Sequence, residues 1–200
     1  MRRALDRVAP RARTRASTRR AASAREDALR ALWAASYDAW VDVPGAPRGR
    51  ATFFKPRASD DDEARARAVP DVVKTHALFA ITAHNPMGAV ATAEANARAN
   101  AALEMDLAAT TRARRRWPSY GFSDGWREDG YVVGFDLEDA DEGRRAMVAL
   151  AVKYAQGAIY EYAWVSERTM RRRTVPAAMS EAVDADVIMV CCDEPEVQEG

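Results

Sequence analysis

Cysteine is almost missing from this chain. Its 200 residues hold two, Cys191 and Cys192, side by side, so no disulfide framework can form and the composition suits a reducing compartment. Aromatic residues are 8% of the chain although the apolar total is 48%; alanine makes up much of the difference and leaves modest material for a core. Histidine occurs twice, as His76 and His84. With no His-x-x-His, His-Glu-x-x-His or Cys-x-x-Cys spacing, the zinc-ligand patterns are excluded. Walker A, G-x-G-x-x-G and G-x-S-x-G motifs are absent too, so no nucleotide or other cofactor is expected. The longest apolar runs, residues 77–83 and 187–192, have the length of strands and fall far short of the roughly 18–20 residues of a membrane helix.

What is present is unevenly placed. The formal net charge is zero, yet residues 1–25 carry nine arginines and one acid, Asp6, leaving 21 basic and 29 acidic residues in the remainder. An arginine-rich, hydroxyl-bearing, acid-poor leader without an apolar centre reads as an organellar transit peptide. The hydroxyls and prolines favour plastid over mitochondrion; a basic tail is the alternative. Ser23 and Glu26 have capping-box spacing, which puts the start of the folded domain at residue 26.

From there Leu29, Leu32, Trp33, Tyr37 and Trp40 recur every three or four residues, which predicts a helix over 26–40. A strand is expected at 51–55. Residues 56–70 read as an acidic flexible insertion; Asp60-Asp61-Asp62-Glu63 could hold a hard cation, but solvated turns account for such clusters more simply. The run 77–83 has the pattern of a strand buried on both faces, ended by Asn85-Pro86. A helix capped by Thr92 then runs to about residue 110. A turn and loop follow over 112–125, with strands at 126–128 and 131–135 around an Asp129-Gly130 turn or, alternatively, one longer strand through it. A helix over 137–154, a hairpin of 158–165 with 169–175, and a last strand at 187–192 follow. Residues 26–175 thus form one domain, with 176–200 as an extension ending in an acidic tail. Strand, helix, strand, strand, helix, strand is the split βαβ order, so the expected fold class is α+β, ferredoxin-like or a close variant, with helices on one face of a mainly antiparallel sheet.

The most informative stretch places Asn96 and Asn100 on the same helix stripe as Leu103 and Leu107. Amides on a buried stripe cost stability unless they are hydrogen-bonded. FAITAHNP, Asn96-x-x-x-Asn100-x-x-Leu103-x-x-x-Leu107, Trp126-x-Glu128 and Tyr154-Ala155-Gln156-Gly157-Ala158 together resemble the family called domain of unknown function 3293, whose pieces read approximately TAxNP, ENxxRNxxLxxxL, WxE and GQxA. The resemblance covers residues 29–165. Ala95 stands where that family usually has Glu, Ala99 where it often has Arg, and Gly157 where it often has Asn. The resemblance carries no activity with it.

Function is then read from the residues. Thr82, Asn85, Asn96, Asn100 and Gln156 are the candidate ligand-binding set, either as a polar pocket at the end of the strand or as a network tying the Asn85 turn to the helix. Amides recognise ligands but are poor acid–base groups, so the expectation is a binding module for a polar small molecule or a protein partner through residues 85–100. The catalytic alternative uses His84 with Glu128. Arg112, Arg114, Arg115, Arg116 and the run Arg171, Arg172, Arg173 read as solvated strand faces; with the remaining chain net acidic, nucleic acid is not an expected partner.

Overall fold

The first change of direction comes at Ser36. The computed structural model describes residues 27–28, 30–178 and 185–196; the basic leader, its Ser23 cap and the end of the acidic tail lie outside the described residues. Residues 27–28 and 30–35 are helical (α1). Where the helix stops, the Ser36 hydroxyl donates to the Trp33 carbonyl at 3.0 Å. β1 (Tyr37–Val41) begins at once. The three- and four-residue spacing from Leu32 to Trp40 therefore crosses a helix end and enters a strand, instead of marking one helix to residue 40. Trp40 is fully buried in its strand position, and tertiary packing of this kind overrides local periodicity.

The chain continues through β2 (Ala51–Pro56), α2 (Asp60–Arg65), α3 (Val72–Thr75), β3 (His76–Thr82), α4 (Ala93–Ala109), β4 (Ala113–Ser123), β5 (Trp126–Asp136), α5 (Ala140–Lys153), β6 (Ala158–Trp164), β7 (Thr169–Pro176) and β8 (Asp186–Cys192). The eight strands form a closed barrel in the order β1-β2-β8-β7-β6-β3-β5-β4, and every pair is antiparallel.

This overturns the expected α+β, ferredoxin-like class. The middle of the chain does run strand, helix, strand, strand, helix, strand from β3 to β6, but its sheet has no free edge. β4 pairs with β1 and β6 with β7, and β2 and β8 complete the ring. Closure removes the unpaired backbone that an open four-stranded sheet would leave at both edges. Two elements hid it. β4 occupies residues expected as turn and loop: Pro118 sits where the β1 ladder has already ended at Ser119, an edge-like place that tolerates proline. β8, expected in an extension beyond the domain, is a full stave between β2 and β7. Of the two readings of Asp129-Gly130, the single longer strand holds, since both residues pair within β5.

Alternation along the strands sorts two cores. Trp40, Phe54, Leu78, Trp117, Val132, Tyr162, Met170 and Met189 fill the barrel. Trp40 lies 4.6 Å from the Phe54 ring and 5.0 Å, edge-on, from that of Tyr162. Outside, Phe79, Ile81, Val133, Phe135 and Ile159 are covered by Leu103 and Leu107 of α4 and by Met147 and Ala151 of α5. β3 therefore buries both faces, which is why residues 77–83 read as an unbroken apolar run. Gly143 admits α5 to the barrel: a Cβ there would meet the Phe135 ring at 2.7 Å.

Residues 56–70 contain α2, capped reciprocally by Ser59 and Asp62. Lys55 reaches Asp62 and Arg57 reaches Glu63, each at 2.6 Å. Val69, Val72 and Val73 join the interior core near the start of β3 and close that end of the barrel. No helix among the described residues is long and apolar enough to cross a membrane.

Candidate functional site at the open end of the barrel

The opposite end is not filled. Interior-facing positions there are small: Ala80 on β3, Gly121 on β4, Gly130 on β5 and Ala158 on β6 all border a cavity of about 290 Å³. Gly130 is required by close backbone approach, since a Cβ would lie 2.4 Å from the Ile81 carbonyl oxygen. Trp126 leans over Gly121, with its ring 3.3 Å from where a Cβ would stand. Leu32 and Trp33 of α1 and Val90 of the loop before α4 complete the wall. An eight-stranded barrel is just wide enough to pack side chains or to hold one small ligand, and here small residues leave the space open.

The turn after β3 is built from the amides singled out in the sequence. Asn85 adopts a left-handed backbone, φ +45°, a conformation asparagine tolerates better than most residues. Its N–H donates to Asn96 Oδ1 at 3.0 Å, and its Oδ1 accepts from Asn96 Nδ2 at 3.1 Å and from the Ala91 N–H at 3.0 Å. Asn85 Nδ2 donates to Glu128 Oε1 at 3.0 Å. One turn along α4, Asn100 Oδ1 accepts from the Ala83 N–H at 2.9 Å while its Nδ2 donates to the Asp129 carbonyl at 2.8 Å. Gln156 Nε2 donates to the His84 carbonyl at 2.8 Å. Thr82 donates to the Asp129 carbonyl and accepts from the His84 N–H.

The candidate residues thus divide. Thr82, Asn85, Glu128 and Gln156 border the cavity. Asn96 and Asn100 lie behind it, their amides committed to the turn. His84 also stands behind: its Nδ1 accepts the Asp129 N–H at 2.7 Å, which fixes the Nε2–H tautomer and occupies the lone pair a general base would use. Burial, aided by Arg127 and opposed by Asp129, holds the His84 pKa below its ordinary value.

Glu128 is the chemically distinctive member. Burial pushes its carboxyl above the usual range, against hydrogen bonds from Asn85 and Trp126. Next to it Tyr160 forms part of the floor, its phenol also raised by burial. Beneath lies a group the sequence reading missed. Arg172, expected on a solvated face, is 1% exposed and Asp38 3%. Arg172 Nη1 donates to Asp38 Oδ1 at 2.9 Å and to the Ser36 carbonyl at 3.1 Å; Nη2 reaches the Trp33 carbonyl. Tyr162 donates to the other Asp38 oxygen at 3.1 Å, and the Arg172 guanidinium lies 4.6 Å from the centre of the Tyr160 ring. The pair holds the end of α1, and with it Trp33, over the cavity. The signal was parity: Met170, Arg172 and Thr174 face one way, and Met170 is plainly a core residue.

Other candidates carry less. Burial raises both thiols, Cys192 to about 11, so neither is a ready nucleophile. The Asp60–Glu63 acids form the first turn of α2. No group of three or more potential metal ligands comes together among the described residues.

No curated protein and no solved structure matches the chain. A family model described as "Protein of unknown function (DUF3293)" matches residues 81–159, which run from the end of β3 to the start of β6 and supply Thr82, Asn85, Asn96, Asn100, Glu128 and Gln156. Over that segment the chain resembles the DUF3293 family.

Proposed function

We propose that the protein binds a small polar molecule in the barrel-mouth cavity, with Thr82, Asn85, Glu128 and Gln156 facing it. The observation that carries this reading is the convergence of four polar side chains on an open cavity at one end of an otherwise filled barrel. A concave site with apolar walls and a few placed polar groups is the usual form of a small-molecule site. Asn96 and Asn100 serve it indirectly, by fixing the left-handed turn that presents Asn85. Acid–base work by His84 is no part of the reading, because its Nδ1 is already engaged.

The test is a thermal-shift screen of the full chain against amines, amino acids, nucleotides and sugar phosphates, beside Ala158→Phe, which fills the mouth at the first residue of β6. A compound at about 100 times its dissociation constant adds roughly 2.7 kcal/mol, a rise of a few degrees. The expected result is a shift that Ala158→Phe abolishes. A shift that survives the filled cavity would place the ligand elsewhere and overturn the proposal.

A further inference from the structure

Every other well-buried carboxylate described here has its cation. Asp38 has Arg172, and Glu161 has both Arg144 and Arg173. Glu128 has none: among the described residues its partners are the neutral Asn85 amide and the Trp126 indole. It is also the only acidic or basic side chain (Asp, Glu, His, Lys or Arg) among the described residues bordering the cavity. Arg172, the buried cation of the barrel interior, is spent on Asp38 and lies against the Tyr160 ring. A half-buried carboxylate without a counter-ion is costly to desolvate, and a cation supplied from outside removes that cost.

The walls suit the same visitor. Trp33, Trp126 and Tyr160 are three aromatic residues around one anionic group, and aromatic faces attract ammonium ions. At the rim Leu32 is 37% and Val90 93% exposed, apolar surface that an aliphatic or aromatic body would cover.

We propose that the ligand is an organic ammonium ion with an apolar body, its cationic head on the Glu128 carboxylate and its body among Trp33, Trp126 and Tyr160. This rests on the reading of the barrel mouth as a small-molecule site. Carboxylic acids and phosphates meet repulsion there when Glu128 is ionised, and neutral isosteres lose the charged contact.

The experiment is titration calorimetry of the full chain with three probes of one shape: 2-phenylethylammonium, 2-phenylethanol and 3-phenylpropanoate. Wild type, Glu128→Gln and Ala158→Phe are compared, with far-ultraviolet circular dichroism to show that each is folded. Glutamine keeps the oxygen that accepts from Asn85, so the pocket keeps its shape. The ammonium probe should bind wild type tightest and lose about ten- to a hundredfold in Glu128→Gln, the worth of a charge-assisted hydrogen bond. The alcohol should bind both proteins alike, and Ala158→Phe should bind none of the three. If the acid or the alcohol binds tighter than the ammonium, or the ammonium ignores Glu128→Gln, the cation inference falls while the cavity reading stands. If no probe binds wild type, both fall.

Discussion

Two carboxylates face the barrel interior one strand to either side of Gly121. Asp38 pairs with it from β1 and Glu128 from β5, so at roughly 4.8 Å per strand their backbones are about 10 Å apart in one row. Burial raises both above their ordinary values. There the likeness ends. Asp38 is answered by Arg172 and Tyr162, and the same guanidinium holds the Trp33 and Ser36 carbonyls. Glu128 is answered by an amide and an indole. The difference follows from what crosses the barrel at each level. β7 brings Arg172 in beside Tyr162, whereas the cavity that Glu128 borders is lined by Thr82, Gly130 and Tyr160, none of them basic. A charge that the fold satisfies from within belongs to its architecture; one left unanswered beside a cavity is free to serve a ligand.

Cutting the built-in pair should have the largest effect. Arg172→Met leaves Asp38 buried without its cation and frees the end of α1; it should cost about 3–5 kcal/mol in chemical denaturation. Asp38→Leu combined with Arg172→Met should recover much of that loss, because two well-packed apolar residues no longer need each other. A single variant within about 1 kcal/mol of wild type would show that the pair is not architectural. The amides extend the contrast on a smaller scale. Asn100→Ala strips partners from the buried Ala83 N–H and the Asp129 carbonyl, so a loss of about 1–3 kcal/mol is expected without any ligand present. An Asn100→Ala protein of full stability would place this amide outside the architectural group.

Much of this was legible in the sequence, and the misses have physical causes. Thr92 as the cap of α4, the β6–β7 hairpin and the doubly buried β3 follow from capping chemistry and periodicity, which are local. The barrel does not, because closure is a relation between β1, β2, β7 and β8 that no local pattern records. Proline and glycine in β4 and an isolated β8 looked like loop and tail until their neighbours were known. The same limit explains the site. Asn96 and Asn100 stood out because polar residues on an apolar stripe demand partners, while Asn85, Glu128 and Gln156 were marked by the motifs that carry the family resemblance. Asp38 and Arg172 did not, since each meets its partner more than a hundred residues away and Arg172 sits within a run of arginines whose other members face outward.

The smallest effect sharpens the comparison most. Glu128 has a folded-state pKa raised above its ordinary 4.5, so the folded protein keeps this proton to higher pH than the unfolded chain. Stability from this group is therefore lost as pH rises from about 4.5 through the raised value, the reverse of an ion-paired carboxylate. Denaturation of wild type and Glu128→Gln across that window should give a difference that moves steadily in favour of the variant and then levels off. It should stay below about 1 kcal/mol, because water still reaches part of the carboxyl. Asp38 and His84 are common to both proteins and cancel. A saturating cation should flatten the slope by favouring the ionised form. A slope of the opposite sign without ligand would mean that Glu128 is ion-paired in the folded protein, and the distinction between the two carboxylates would disappear.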